Sequence, residues 1–574
     1  MFIVLLLGLL IGLLDAFGLT MFLPLLELAD GNAQANGENM GGLDFIVEFL
    51  NNSGIDLTLF VALLILSIFF VFKGVATYFS EGYKVKSVQY FMSTLRLKLT
   101  DLFTRYSFKS FVSADMGRIQ NSFTTEVWRV AGAYSAYSKG IQEIIMTLVY
   151  MFFVFLIDWK FALLVCVGGG LTNFIYSSIY KKTAKESTQL TQHNSNYHKG
   201  MIQFVNNFKY LKATGLLNKY SDKLKKDIEV IEGANRKIGF LNALVMGIRE
   251  PILIVIVCIV ISIQVYVLEG NLATILMSLL LFYRALTQLL NFQTSYNTFL
   301  SNSGSLSNVT KFEEELLEAE EKVDGVEFKV FQNEIQLRNV FFGYTKGDDI
   351  LKDISLSFKR QKTYAFVGES GSGKTTLVNL ISGLLPISAG SLKVDGVDIA
   401  QINKASFQKR IGYIAQEPVV FNDTIFNNVT FWDEPTDENL TRFNHAIRQA
   451  SIYEFVNSLT EKENTLLGNN GVNLSGGQKQ RISIARELYK EIDILILDEA
   501  TSALDSETEK EIQYNIEKLR GEYTILIIAH RLSTIRNVDE VFLMNKGRLE
   551  GQGSFDKLIH TSERFKRMVE LQEI

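Results

Sequence analysis

Six stretches in the first 300 residues approach the roughly 20 apolar residues a helix needs to cross hydrocarbon, and they decide what that half of the chain can be. They lie near 2–28, 57–79, 139–157, 160–180, 241–268 and 272–299. In a bilayer every backbone N–H and C=O must be satisfied inside the protein, so runs of this length fold as helices. The first run has no basic flank, exceeds the apolar length of a secretion signal and shows no small-residue cleavage site, so it is read as a retained span.

Lysine and arginine set the expected orientation. The stretch from Glu27 to Asp56 holds the acids Glu27, Asp30, Glu38, Asp44, Glu48 and Asp56 and no Lys or Arg, which places it outside. The following connection carries Lys84, Lys86, Arg96, Lys98, Arg105, Lys109 and Arg118 and belongs inside. Asp158–Lys160 and Glu269–Asn271 are tight outer turns, and 181–237 is a second long basic stretch on the inner side. The two inner excursions, each about 50 to 60 residues, exceed ordinary helix connections and are expected to be helices continuing below the membrane.

An ionisable group in a span is costly and faces a cavity or a partner. Asp15 and Arg284 lie nearest mid-span and are the cavity candidates. Lys73 and Glu81 fall near the inner end of a helix, where snorkelling or plain solvation accounts for them. Arg249-Glu250-Pro251 reads as a local ion pair at a proline kink.

The remainder differs in kind. At 574 residues the chain is too long for one core, and 325–574 has the dispersed charge and short apolar alternations of a soluble α/β domain. There the run Gly368-Glu369-Ser370-Gly371-Ser372-Gly373-Lys374-Thr375, followed by Thr376, fits a phosphate-binding loop. Glycines let backbone N–H groups close around phosphate, Lys374 reaches the terminal phosphates and the Thr375 hydroxyl can ligate Mg²⁺. Lys362–Val367 leads in as a strand and Thr375–Leu384 leaves as a helix, which puts the loop at a helix N-terminus where anions bind. A net charge of −5 without a basic tract argues against nucleic acid as a partner. The five histidines show no metal-ligand spacing, and Cys166 and Cys258, both in apolar runs, are expected to be small buried hydrophobes.

Leu474-Ser475-Gly476-Gly477-Gln478 follows, then an apolar run ending Asp498-Glu499, then His530. With these elements in this order behind the spans, the chain resembles the ATP-binding cassette (ABC) transporters, whose signature is L-S-G-G-Q, over essentially its whole length. The resemblance implies an exporter-type fold: an α-helical transmembrane domain of six spans over 1–300, a polar Glu-rich linker over 301–327, and an α/β phosphate-loop ATPase of the ABC class over 328–574. It implies ATP with Mg²⁺, and coupling helices at the tips of the inner excursions, near Phe111–Arg118 and Asn207–Gly215. Tyr344 matches the aromatic that stacks on adenine, and Gln416 the glutamine that reaches Mg²⁺ beside Thr375 and Asp498. Glu499 matches the general base, a role chemically suited to a carboxylate following a metal-binding Asp. His530 matches the histidine that contacts the γ-phosphate, and Asp505 the loop that crosses the dimer interface.

In this family the signature meets a phosphate held by the other subunit, so one cassette per chain implies a dimer, either with a second copy or with a homologous half-transporter. Two departures stand out. Met1 is already at the membrane where exporters begin with an amphipathic elbow helix, and Gly468-Asn469-Asn470-Gly471 replaces the usual G-E-R-G before the signature. The segment Leu14–Asp30, with Asp15, Phe17 and Pro24, is similar to the first span of bacterial flippases for lipid-linked oligosaccharides. A lipid or amphiphile is therefore the expected substrate: a lipid-linked glycan in a flippase or a drug in a multidrug exporter, with an ATP-gated regulatory protein as the reading from another class. The expected location is a prokaryotic inner membrane with the ATPase in the cytoplasm.

Overall fold

Apolar runs that continue without a helix breaker into charged ones produce helices much longer than a bilayer is thick. In the computed structural model, which describes residues 2–22, 25, 58–267, 272–321, 325–345, 347–498, 513–529 and 531–572, three helices reach 46, 48 and 51 residues. At 1.5 Å per residue these span roughly 70 to 75 Å, against about 30 Å of hydrocarbon. The chain forms two units, 1–106 with 114–320 and 107–113 with 321–574.

The described residues of the first unit are helical. It contains α1 (Phe2–Thr20) and α2 (Leu59–Thr104); the second unit receives α3 (Phe108–Ser113). The first unit resumes with α4 (Met116–Asn121), which passes through a π-helical turn at Ser122–Glu126 into α5 (Val127–Ile157). Then come α6 (Trp159–Asn206), α7 (Phe208–Ala213), α8 (Leu217–Val267), α9 (Leu272–Ser301) and α10 (Ser303–Glu318). Among the described residues, four stretches are long and apolar enough to cross a membrane, within Ile3–Thr20, Leu59–Thr104, Met116–Ile157 and Leu217–Ile263. Helices α6 and α9 occupy the other two stretches expected from the sequence. The core includes Tyr150, Phe153, Tyr176, Leu281 and Phe282, all buried.

The inner tips are short helices. The turn at Asn207 begins α7, and Gly215 closes it with φ +71°. The other short helix, α3, starts three residues before the expected Phe111. The Ser107 hydroxyl accepts the Ser110 amide at 3.3 Å at its start, and Asp115, whose carboxylate accepts the Gly117 and Arg118 amides at 2.9 and 3.2 Å, opens the next helix. Arg118 therefore belongs to α4.

Most of the expected linker is also helix. Val309, Phe312 and Leu316 recur at helical spacing on α10 and are buried with Leu99, Leu102 and Val130, while the glutamates of its other face meet basic groups. Arg118 pairs with Glu315, Lys98 with Glu313, and Arg105 with Glu320 at 3.0 Å. Pro251 lies inside the continuous helix α8, and the side chain of Arg249 falls outside the described ones. Cys258, expected to be buried, is exposed on α8. In lipid an outward apolar side chain has no hydrophobic reason to turn inward. The Cys166 side chain lies outside the described ones.

The second unit holds two sheets. The antiparallel one is ordered β2 (Leu351–Lys359), β1 (Glu334–Phe342), β4 (Ala389–Val394), β5 (Val397–Asp398). The other runs β10 (Arg548–Gly553), β9 (Glu540–Asn545), β3 (Thr363–Val367), β8 (Thr524–Ile528), β7 (Ile494–Asp498), β6 (Ile411–Ile414). Pairing from β9 through β6 is parallel and β10 is antiparallel. A parallel sheet covered on both faces explains why β3, β7 and β8 read as continuous apolar runs. Helix α11 (Lys374–Ile381) follows β3, and α12 (Lys404–Lys409) precedes β6. A helical subdomain comprises α13 (Ile425–Thr430), α14 (Asp437–Gln449), α15 (Tyr453–Ser458) and α16 (Gly476–Tyr489), and α17 (Phe555–Thr561) and α18 (Glu563–Glu570) end the chain. Phe108 of α3 packs on the core that contains Phe342 and Tyr344, with Lys109 Nζ 5.8 Å from the Phe342 ring centre.

Candidate nucleotide site and membrane charge cluster

Strand β3 is buried along its length and delivers the chain into the glycine loop. Gly368 must be glycine, because a Cβ there would lie 2.2 Å from the Met544 carbonyl oxygen. Gly373 has φ +100° and begins α11 without a side-chain cap, so the first amides of that helix keep their donor capacity. Lys374 is 5% exposed, and its Nζ donates to the Gly368 and Glu369 carbonyls at 2.8 and 3.0 Å. The loop curls around its own lysine. Ser372 is buried and its hydroxyl has no hydrogen-bond partner among the described residues, a donor and acceptor left for a ligand in the cradle. Ser370, Gly371 and Thr375 are exposed. Thr376 is half-buried. The Glu369 carboxylate takes Arg564 Nη2 of α18 at 2.7 Å, a contact nothing in the local sequence announces.

Asp498 ends β7 half-buried, and the Tyr413 hydroxyl donates to its Oδ2 at 2.8 Å. Gln416, three residues past Tyr413, is exposed. Tyr344 is half-buried, its ring edge-on to Phe342 at 5.1 Å. The hydroxyl of Thr375, the carboxylate of Asp498 and the amide oxygen of Gln416 are hard oxygen donors, a set that suits Mg²⁺. Glu499, Asp505 and His530 lie outside the described residues.

The signature is a helix start of another sort. Ser475 caps α16 with Gln478 in a reciprocal box: the Gln478 amide donates to Ser475 Oγ at 3.3 Å and the Ser475 amide to Gln478 Oε1 at 2.8 Å. Ser475 and Gly476 are exposed, and Leu474 and Gly477 half-buried. Buried Arg486 pins the other end of α16, donating to the Asn428 and Val419 carbonyls at 2.6 and 2.8 Å.

In the helical unit, Asp15 is 1% exposed and accepts Lys73 Nζ at 2.6 Å and the Tyr150 hydroxyl. Lys73 thus does not snorkel, since a buried carboxylate needs a counter-charge more than the ammonium needs water. Glu81 pairs with Lys84 at 2.6 Å and stays exposed, as expected. Arg284 stands within electrostatic reach of Tyr150 and makes no ion pair with a described residue. Asp15 and Arg284 stand as separate candidates in the sequence; the fold brings Asp15, Lys73 and Tyr150 into contact from α1, α2 and α5, with Arg284 of α9 near Tyr150.

Fold and site together define a membrane-embedded phosphate-loop ATPase. The family model for the ABC transporter transmembrane region matches residues 1–293, and the ABC transporter model matches 351–502. The chain belongs to the ABC transporter family; it is an integral membrane protein, binds ATP and couples ATPase activity to transport. It is 33% identical to the heterocyst differentiation ATP-binding protein HepA of Nostoc sp. over 78% of this chain and 74% of that one. It is 29% identical to the ATP-dependent lipid A-core flippase of Syntrophus aciditrophicus over 89% of this chain and 85% of the relative. A solved structure described as a bacterial Atm1-family ABC exporter with ATP bound superposes with a TM-score of 0.80 at 22% identity, covering 100% of this chain and 97% of that one, which shows the exporter-type fold.

Proposed function

We propose that this transporter flips an anionic, phosphate-bearing lipid of the lipid-linked oligosaccharide kind outward across a prokaryotic inner membrane, with its ATPase in the cytoplasm. Charge carries the reading. Lys73 pairs with Asp15 inside an apolar bundle, and Arg284, near Tyr150, has no ion-pair partner among the described residues. A surplus cation there is costly, and an anionic headgroup offsets it where a cationic amphiphile cannot. The name ATP-dependent lipid A-core flippase, carried by relatives covering most of the chain, supports a lipid substrate.

The working unit is a homodimer with six spans per chain, arranged as a transmembrane domain over 1–300, a linker over 301–327 and a cassette over 328–574. The exposed Ser475 and Gly476 meet the γ-phosphate held by the partner's glycine loop, and Asp505 crosses between the cassettes. Tyr344 stacks on adenine, Lys374 holds the terminal phosphates, Glu499 polarises the attacking water and His530 orients the γ-phosphate. Thr375, Asp498 and Gln416 would hold Mg²⁺, which would supply positive charge to offset that of the phosphates. Closure of the two cassettes on ATP turns the cavity outward, and hydrolysis resets it.

The test is ATPase activity of the purified protein in nanodiscs with polyprenyl-pyrophosphate glycans, phospholipids and amphiphilic drugs, using Glu499→Gln as the blank. Selective stimulation by the pyrophosphate lipid, lost in Arg284→Ala, is the expected result. Broad stimulation by drugs with no effect of Arg284→Ala refutes the flippase reading. Glu499→Gln itself is expected to bind ATP and accumulate a closed dimer while turnover falls by orders of magnitude.

A further inference from the structure

Tyr413 sits on β6, the edge strand of the six-stranded sheet, paired in parallel register with Ile496 of β7. Asp498 is two residues beyond Ile496, hence on the same face of the sheet. The tyrosine reaches along that face and donates its hydroxyl to Asp498 Oδ2 at 2.8 Å, while Oδ1 has no hydrogen-bond partner among the described residues.

The backbone of the same residue is held from the opposite side. An edge strand leaves an N–H without a ladder partner. That of Tyr413 donates to Glu487 Oε2 at 3.2 Å, and Glu487 is a buried carboxylate in the last turn of α16, also paired with Lys490 at 2.6 Å. The residue is therefore fixed by the helix that begins at the signature, and its hydroxyl is fixed on the acid at the nucleotide site.

We propose that Tyr413 is a positioning residue that holds Asp498 by one oxygen so that the other is presented to the metal. Partners of this kind, which orient a ligand without touching the ion, typically change metal affinity when removed. The inference rests on the metal-binding role proposed above for Asp498.

The experiment is Mn²⁺ binding to the ADP-loaded full-length protein, followed by electron paramagnetic resonance, with ADP affinity in EDTA measured alongside. Tyr413→Phe is expected to weaken Mn²⁺ by roughly tenfold, to leave ADP affinity in EDTA unchanged, and to raise the Mg²⁺ concentration for half-maximal ATPase in proportion. Unchanged Mn²⁺ affinity overturns the proposal. So does an equal loss of ADP affinity with and without metal, because the tyrosine would then only be holding the sheet. Asp498→Asn separates the two readings: retained Mn²⁺ in that variant refutes the metal role of Asp498, whereas loss there with none in Tyr413→Phe refutes the positioning alone.

Discussion

Helices α11 and α16 both begin at glycine-containing motifs, yet they treat their first amides in opposite ways. The start of α11 is a left-handed glycine with no side-chain cap, next to a buried lysine that rests on the loop's own carbonyls. The start of α16 is a serine in a closed capping box on the surface. A helix N-terminus leaves up to four N–H groups unsatisfied, and an anion is one of the few things that can satisfy them together. The glycine loop thus leaves amides of one chain open to an anion. The signature is a rigid edge, already capped, that offers a hydroxyl and exposed backbone to something arriving from outside.

Lys374→Ala is the severest test of that difference. With the loop's one cation gone, ATPase activity is expected to fall by at least about a hundredfold and ADP affinity to drop with it. Near-normal turnover would remove the glycine loop from the nucleotide site. Next comes Gly373→Ala, which forces a Cβ into a backbone at φ +100° and to 2.7 Å from Leu351 Cδ2. The strain is about 1–3 kcal/mol, so ADP affinity should fall and the melting temperature with it. Ser475→Ala should cost about 1 kcal/mol of helix stability and lower ATPase turnover while leaving ADP affinity untouched. A loss of ADP affinity there would break the comparison, since it would put the signature in the same chain's site.

The smallest effect concerns the far end of β3. Burial alone would raise the Asp539 pKa, but the Thr363 amide at 2.8 Å and Lys362 at 2.9 Å, with Arg520 nearby, hold it below the usual carboxylate value. A carboxyl depressed in the folded state stabilises above its unfolded pKa, near 3.9, and that stabilisation is lost as pH falls through the lower folded value. Melting curves of Asp539→Asn should therefore be flatter than wild type below about pH 4, with ADP affinity at neutral pH unchanged. Identical acid limbs would show that Asp539 contributes nothing to the strand that feeds the loop.

Much of the site was legible because phosphate chemistry demands contiguity. Gly368 to Thr375 had to be neighbours in sequence for their amides to converge, and Ser475 and Gln478 had to stand three apart to form their box. The tip at Asn207–Gly215 follows from the family resemblance, and α7 lies there. Arg118 falls in a different helix from Phe111 because Asp115, which looks like any loop acid, caps Gly117 and Arg118 and opens α4. The linker concealed a helix because four glutamates between Glu313 and Glu318 mask the stripe of Val309, Phe312 and Leu316.

The amino-acid sequence by itself determined the apolar lengths that make helices, the buried strands of the ATPase, and every motif whose atoms must lie on one stretch of backbone. Only the tertiary structure decided how buried charge and polarity are matched. Asp15 finds Lys73 at a separation of 58 residues and Tyr150 at 135, and Asp498 finds Tyr413 at 85. The physical reason is that a helix or strand pattern reports which face is apolar, while neutralising a buried carboxylate depends on which other element packing brings within 3 Å of it, and no local periodicity encodes that.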